Sequence, residues 1–348
     1  MKKNALRSCV IVCGLCVGMG NILPLRARTA NADDACTAKA ACVMEQTSRR
    51  VLYEHRGDIR LPMASTTKIA AAITVLEECE DISQRLLIPQ EAEGIEGSSV
   101  YLKSGEEYSV EDLLYGLMLR SGNDCATALA LHCCSALENF AAKMNRTAQK
   151  AGALNTNFVN PHGLPAPRHY TTARDLSYIT CYAMQNPIFR KIVSTRYYEP
   201  RAWKNKNKLL TDYDVAIGVK TGYTKEAGRC LVSAAKRGDM TLICTVLNCS
   251  DMYECSTRLL EDGFSAYEYT KLIDKTEVFE VTDGKKIYKA KAREDFAYPL
   301  LQEEKGLVKR EIIFNPSEVT QDENGEILGQ MQIRLAKQLL FSANLYKL

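Results

Sequence analysis

A hydroxyl and an amine stand three residues apart at Ser65 and Lys68, at the head of an alanine-rich apolar run. The apolar residues of that run recur at helical spacing, which predicts a buried helix. Residues i and i+3 lie on one face of a helix, so both side chains are expected to point into the same space. A serine hydroxyl is a weak nucleophile, and an amine whose pKa is lowered by burial can take its proton. The pair is therefore a candidate for nucleophilic catalysis.

The same S-x-x-K spacing recurs at Ser233 and Lys236. The surrounding residues, 231–235, are typical of a strand, in which residues i and i+3 point to opposite faces. The spacing alone therefore does not identify a site, and other polar clusters have to support the first pair.

Two further clusters follow along the chain. Ser121-Gly122-Asn123 interrupts two predicted helices, and Lys220-Thr221-Gly222 follows an apolar strand predicted over residues 215–219. Each has a simpler interpretation, the first as a helix-breaking turn and the second as a strand end followed by a turn. Together, and in this order, the three clusters match the S-x-x-K, S-D-N and K-T-G signature of the serine penicillin-recognising enzymes.

Within that superfamily the chain resembles the D-alanyl-D-alanine carboxypeptidases, the low-molecular-weight penicillin-binding proteins of peptidase family S11. The resemblance extends from about residue 38 to residue 269. It rests on the segments Leu61–Lys68, Ser121–Asp124, Asn160–Leu164, His169–Leu176 and Gly218–Thr224. The residues after this region are similar to the family's C-terminal β module.

The resemblance implies a reaction. Ser65 would attack the carbonyl between two D-alanines and form an acyl-enzyme, with Lys68 as general base. Burial and the nearby cation Lys220 would keep Lys68 partly neutral. Ser121 would relay the proton to the leaving amine, and the backbone N–H groups of Ser65 and Tyr223 would form the oxyanion hole. Water would then hydrolyse the ester.

The resemblance also implies how substrate is held. Asn123 would hold the peptide amide, while Lys220 and Thr221 would meet the terminal carboxylate. Gly222 has no side chain, so substrate could lie close against the strand. The implied partner is a peptidoglycan pentapeptide ending in D-Ala-D-Ala, and β-lactams are implied as covalent inhibitors.

Three other interpretations remain open. A class A β-lactamase needs a deacylating glutamate between the second and third clusters, but no glutamate occurs from Asn139 to Tyr198, and the second motif has glycine in place of aspartate. A non-catalytic β-lactam-binding or wall-binding module on the same fold, and a transpeptidase that passes the acyl group to an amine, are the other two. His162, His169 and Asp175 lie in family-like segments, and we expect them to be structural.

The charge and composition of the chain limit its possible partners and its cellular location. The net charge of +3 becomes −2 once residues 1–32, with five basic residues and no acid, are set aside, so no nucleic-acid partner is expected. Those residues have a charged start, an apolar middle over Cys9–Val17 and a small-x-small site at Ala30-Asn31-Ala32. This pattern predicts a cleaved export signal and an extracytoplasmic protein, secreted or associated with the wall or membrane, with no evident membrane anchor.

Eleven of the fourteen cysteines follow residue 32, an odd number that does not fit a complete disulfide framework. We expect most of them to be small apolar core residues, and we expect no metal or cofactor, since the only C-x-x-C is Cys13 to Cys16.

A hairpin, then helices, then strands without βαβ alternation predicts an α+β domain. The resemblance implies that this domain is β-lactamase/transpeptidase-like, with an antiparallel sheet and helices. A small all-β domain is predicted to follow it. The predicted division is 1–32 for the signal, 33–272 for the catalytic domain and 273–348 for the β domain.

Overall fold

The computed structural model describes residues 36–282, 286–314 and 320–348. The predicted export signal lies outside these residues, and so does Asp283-Gly284, a pair of residues that predicts a turn between alternating segments. Within the part that is described, no helix combines the length and the apolar character needed to cross a membrane.

The regular elements alternate between short strands and helices in the first half of the chain, and strands predominate after it. The α-helices are α1 Lys68–Glu78, α2 Val110–Tyr115, α3 Asn123–Cys133, α4 Leu137–Ala151, α5 Ala173–Ala183, α6 Pro187–Ser194, α7 Leu209–Asp212 and α8 Met252–Ala266. The strands of the first part are β1 Ala40–Glu45, β2 Val51–His55, β3 Arg85–Leu87, β4 Glu107–Ser109, β5 Tyr197–Tyr198, β6 Trp203–Lys204, β7 Ala216–Thr224, β8 Gly228–Arg237 and β9 Met240–Leu247. The later strands are β10 Glu268–Ile273, β11 Phe279–Thr282, β12 Ile287–Lys291, β13 Phe296–Leu300, β14 Val308–Phe314, β15 Thr320–Asp322, β16 Gly325–Leu335 and β17 Gln338–Lys347.

A five-stranded antiparallel sheet of order β2-β1-β9-β8-β7 forms the centre of the first part. β1 and β9 are buried along their whole length because both faces of the sheet are covered. Helix α5 packs on one face and α8 on the other. β7 occupies an edge of the sheet, and this edge borders the site described below.

Local signals in the sequence explain where several helices begin. The side chains of Ser109, Thr172 and Asn186 accept hydrogen bonds from backbone N–H groups in the first turns of α2, α5 and α6. Such caps satisfy donors that have no partner inside the helix. Helix α1 lacks a side-chain cap and instead continues from a 3₁₀ turn over Ala64–Thr67.

Most of the predicted architecture is confirmed. The α+β class, the first hairpin, the helix after Ser65 and the three later strands of the sheet are all present. The sequence predicts a last helix over Tyr253 to Tyr269, and this prediction is wrong at its end, because α8 stops at Ala266 and Tyr269 pairs with Pro299 between β10 and β13. The elements β5, β6 and α7 were not predicted, since they are too brief to show a clear periodicity. Helix α6 was also missed, although Asn186 caps it and its buried residues Phe189, Ile192 and Val193 recur at helical spacing.

The C-terminal strands form a second sheet of order β11-β12-β17-β16-β14, with β15 paired to β16. Met331, Ile333 and Leu335 alternate along β16 and are buried in its core. The alternation over residues 330–335 predicts a strand with residues 338–345 as its partner, and this pairing is confirmed, with Leu335 opposite Gln338. The division at residues 272/273 stays a prediction.

Arg50 links the first hairpin to the C-terminal part. Its guanidinium lies 2.5 Å and 2.9 Å from the two carboxylate oxygens of Glu304 and donates to the carbonyl of Pro299 at 2.6 Å. It also lies 5.1 Å from the ring centroids of both Tyr267 and Tyr298. The ion pair is nearly buried, so each charge depends on the other for solvation.

Arg50→Ala is expected to lower the free energy of unfolding by about 3 kcal/mol, because it leaves the Glu304 carboxylate buried without its partner. Chemical denaturation followed by circular dichroism measures the change. The double variant Arg50→Met with Glu304→Leu is the control, and it should be less destabilised than the single variant. A single variant as stable as the parent would show that the pair contributes nothing to the junction.

Cys36 and Cys255 form a disulfide that links the start of the described chain to α8. The other nine cysteines after residue 32 are free, and six of them are buried, which confirms the prediction that most are core residues. The sulfur of Cys249 lies within 4.8 Å of both sulfurs of the disulfide. The sequence did not predict which cysteines pair.

Candidate active site

Ser65 lies in the 3₁₀ turn that leads into α1, and Lys68 is the first residue of the helix. The turn is fixed from inside, because the hydroxyl of Thr66 donates to the carbonyl of Met63 at 2.6 Å. Ser65 is half-buried and Lys68 is fully buried. Lys68 Nζ lies 2.9 Å from Ser65 Oγ, which confirms the expected common face of the two side chains.

Lys68 Nζ has two further contacts, with Asn123 Oδ1 at 2.7 Å and the carbonyl oxygen of His162 at 2.6 Å. Both are acceptors, and a neutral amine has two N–H groups to donate to them. Its lone pair is then left for the third direction, toward Ser65. A neutral Lys68 in this position can accept the proton of the Ser65 hydroxyl.

The electrostatics favour that neutral form. Burial holds the pKa of Lys68 well below its usual value, and the charge of Lys220 lowers it further. Burial lowers the pKa of Lys220 to about 7, with a contribution from Lys206. Two lysines with lowered pKa values close together are a feature of sites that hold and move protons.

Strand β7 places the third cluster beside the Ser65 turn. A Cβ at Gly222 would lie 3.1 Å from the backbone nitrogens of Ser65 and Thr66, a tighter contact than most Cβ atoms make, so glycine favours this close approach. Lys220 lies on the same face of the strand and is buried, with its Nζ donating to the carbonyl of Thr221 at 3.0 Å. Tyr223 is 65% exposed. The motif lies within β7, so the interpretation of Lys220-Thr221-Gly222 as a strand end is wrong.

The second cluster follows a π-helical turn over Gly116–Arg120, a rare geometry that is frequent at functional sites. Ser121 is buried and adopts the left-handed conformation with φ of 64°. Asn123 is held on both sides, since its backbone N–H donates to the carbonyl of Ser98 at 2.7 Å and its amide group donates to that of Glu96 at 2.6 Å. These bonds turn its amide oxygen toward Lys68.

A loop over residues 160–164 closes the site from the other side. Gly163 has φ of 88°, and a Cβ there would lie 2.0 Å from the carbonyl oxygen of Ala64, so the loop requires glycine. His169 Nδ1 accepts from the N–H of Val159 at 3.1 Å, which leaves its Nε2–H to donate to Thr67 Oγ1 at 2.9 Å. Burial lowers the pKa of His169 to about 4, so it is neutral.

His162, His169 and Asp175, which we expected to be structural, all make contacts that hold loops or the Lys68 amine in place. His169 connects the loop to the Ser65 turn, and the carboxylate of Asp175 accepts from the backbone N–H of Asn155 and the hydroxyl of Thr156. His162 contributes its carbonyl oxygen to Lys68. That carbonyl was missed, because a backbone group leaves no signal in the sequence.

Lys206 was also missed. Its Nζ lies 3.3 Å from Ser98 Oγ, and its charge lowers the pKa values of both Lys68 and Lys220. It belongs to a polar run over residues 204–208 in which lysine and asparagine alternate, and nothing in that run distinguishes it. Lys68 is thus in direct contact with both Ser65 and Asn123, while Gly222 lies against the turn and Lys220 is buried beside it.

Comparison with known proteins identifies the family. A family model described as D-alanyl-D-alanine carboxypeptidase matches residues 27–251 of this chain, which is more than half of its length. The chain belongs to the D-alanyl-D-alanine carboxypeptidase family. Members of this carboxypeptidase family are serine peptidases, in agreement with the resemblance drawn from the motifs.

Among its relatives, D-alanyl-D-alanine carboxypeptidase DacF of Bacillus subtilis is 34% identical over 245 residues, which cover 66% of this chain and 63% of the relative. Penicillin binding protein 5 from Haemophilus influenzae has a similar structure, with a TM-score of 0.75 and 27% identity over 90% of this chain and 97% of that one. The Streptomyces K15 DD-transpeptidase is 35% identical, with a TM-score of 0.62 over 66% of this chain and 98% of that one. The α+β fold is therefore that of the carboxypeptidase family.

Proposed function

We propose that the chain is a serine-type D-Ala-D-Ala carboxypeptidase that removes the terminal D-alanine from peptidoglycan pentapeptides. The observation that supports this most directly is the 2.9 Å contact between Ser65 Oγ and a buried Lys68 whose other two partners are acceptors. Membership of the carboxypeptidase family gives the substrate class.

In the proposed reaction the hydroxyl proton of Ser65 passes to Lys68 Nζ as Ser65 Oγ bonds to the scissile carbonyl carbon. The oxyanion accepts hydrogen bonds from the backbone N–H groups of Ser65 and Tyr223. The C–N bond then breaks, and the leaving amine of D-alanine takes the proton through Ser121. Water attacks the resulting ester, returns the proton to Ser65 and releases the shortened peptide.

The remaining site residues hold the substrate in this proposal. The charged form of Lys220 and the hydroxyl of Thr221 bind the terminal carboxylate, and Asn123 binds the peptide amide. Among the described strands β7 pairs with β8 alone, so its other edge, beside the Ser65 turn, can bind an extended peptide. β-Lactams would acylate the same serine and be hydrolysed slowly. The substrate is a wall component, so we propose an extracytoplasmic location.

Transpeptidation is the second candidate, because one structural neighbour is a DD-transpeptidase. Transpeptidation proceeds through the same acyl-enzyme as hydrolysis and differs only in the second step, in which an amine instead of water attacks the ester. A class A β-lactamase is not favoured, since the segment between the second and third clusters has no glutamate from Asn139 to Tyr198. A non-catalytic module is not favoured either, because each residue of the proposed machinery is present.

The direct test measures D-alanine release from a pentapeptide ending in D-Ala-D-Ala, with and without penicillin. We expect release in its absence, and loss of release together with a covalent adduct in its presence. Adding an acceptor amine separates hydrolysis from transpeptidation. Absence of both release and adduct would overturn the proposal.

Lys206→Gln is expected to move the pH profile of acylation by penicillin to higher pH. The positive charge of Lys206 lowers the pKa values of Lys68 and Lys220, so removing that charge raises both pKa values. The rate of adduct formation between about pH 5 and 10, a range that spans the lowered and the ordinary lysine pKa, measures the shift by intact mass. Lys208→Gln is the matched control two residues further on, and an unchanged profile in the Lys206 variant would contradict the assignment.

A further inference from the structure

A cavity of about 490 Å³ opens beside the Ser65 turn. One wall is formed by Leu61 and Pro62, which precede Ser65 by only a few residues. Three exposed charged residues line it, namely Arg60, Arg168 and Glu226. None of the reaction steps above uses these residues.

The walls of the cavity are fixed by local contacts. The guanidinium of Arg60 donates to Asn155 Oδ1 at 3.2 Å and lies 4.8 Å from the ring centroid of Tyr170. Arg168 follows Pro165 and Pro167, whose rings restrict the backbone, and its carbonyl accepts from the amide of Asn157 at 2.6 Å. The cavity is thus formed before any ligand enters.

Among the described residues, none of the three charges has an ion-pair partner. Within the described residues, no salt bridge or side-chain hydrogen bond is found for the side chains of Arg168 or Glu226. Arg60 has a neutral amide and an aromatic ring as its neighbours, so its charge is not compensated. The cavity therefore offers two positive groups and one negative group to a ligand.

The proposed function gives the direction in which substrate approaches this cavity. The terminal carboxylate binds at Lys220 and Thr221, and the scissile carbonyl binds at the N–H of Tyr223. An extended peptide advances about 3.3 Å per residue, so the residue before the scissile D-alanine lies beyond Tyr223 toward the end of β7. Glu226 stands in the turn just after β7, on the border of the cavity.

We propose, resting on that function, that this cavity binds the side chain of the third residue of the wall peptide, and that it selects a diaminodicarboxylic acid over lysine. Such a side chain ends in both an amine and a carboxylate. In this proposal the carboxylate binds Arg168 and Arg60, and the amine binds Glu226. A lysine side chain offers only the amine, and it leaves both guanidinium groups without a partner.

The test compares two pentapeptides that are identical except for the third residue, one with a diaminodicarboxylic acid and one with lysine. The purified protein is expected to show a kcat/KM for D-alanine release about tenfold higher with the dicarboxylic peptide, the combined effect of two charge-assisted contacts at a solvated site. Arg168→Gln should reduce this ratio to about threefold or less, since one of the two guanidinium contacts is lost. Glu226→Gln should raise KM for both peptides, because each has an amine.

Arg146→Gln on α4 is the matched control, an exposed arginine away from the cavity, and it should keep the parent ratio. A third peptide, a diacylated D-Ala-D-Ala with no charged third residue, separates the two proposals. If the protein releases D-alanine from this third peptide but has equal kcat/KM values for the two pentapeptides, the cavity assignment alone is overturned. No release from any peptide overturns the proposed function and this assignment with it.

Discussion

Ser65→Ala is expected to abolish labelling by penicillin and to reduce D-alanine release by at least about 10⁴-fold, as loss of a catalytic nucleophile does in other serine peptidases. The variant should remain folded, because Ser65 is only half-buried in a turn that is fixed by the Thr66 hydroxyl. Intact mass spectrometry after incubation with penicillin measures the adduct. Peptide mapping of the parent protein should place the label on Ser65.

The chain provides its own control for this experiment. Ser233 has the same S-x-x-K spacing, but its hydroxyl is buried and donates to the carbonyl of Cys244, while Lys236 is exposed. Ser233→Ala should keep both the label and the release of D-alanine. A label that persists in the Ser65 variant would move the nucleophile elsewhere and contradict the mechanism.

The rate of acylation is expected to follow a bell-shaped pH profile, with a different lysine on each limb. Lys68 must be neutral to act as base, so the rate rises with pH as Lys68 loses its proton, which burial allows well below its usual pKa. Lys220 must be charged to bind the carboxylate, so the rate falls as pH rises through its pKa of about 7 in the free protein.

Two variants assign the limbs. Lys68→Ala should lower the acylation rate by about 10³-fold, within the range of general base catalysis, and remove the acid limb. Lys220→Arg should keep the acid limb and move the alkaline limb to higher pH, since a guanidinium stays charged. A Lys68 variant with the parent rate would assign the base role to another group, and an unmoved alkaline limb in the Lys220 variant would remove that residue from carboxylate binding.

The sequence determined the residues that contact each other locally. A helical period fixes the direction of residues three positions apart, so the spacing alone was enough to pair Ser65 with Lys68. The same rule separated Ser233 from Lys236, because a strand sends them to opposite faces, and the fold confirms both cases. The α+β class followed in the same way from the order of the periodic segments.

The tertiary structure alone decided the state of the site. The carbonyl of His162, the amide of Asn123 and the charge of Lys206 reach Lys68 or Lys220 from distant parts of the chain. No periodicity encodes such contacts, since they depend on how a loop, a π-helical turn and an edge strand pack together. The pairing of Cys36 with Cys255, 219 residues apart, is another contact of this kind.

The physical reason for this division is the range of the interactions. Spacing along the chain determines which side chains share a face, because backbone geometry is local. Whether Lys68 is a base depends on its desolvation and on the positive charges around it, and both exist only after the chain has folded. The sequence therefore named the nucleophile and its partner, and the fold supplied the burial and the neighbouring charges that favour a neutral amine beside Ser65.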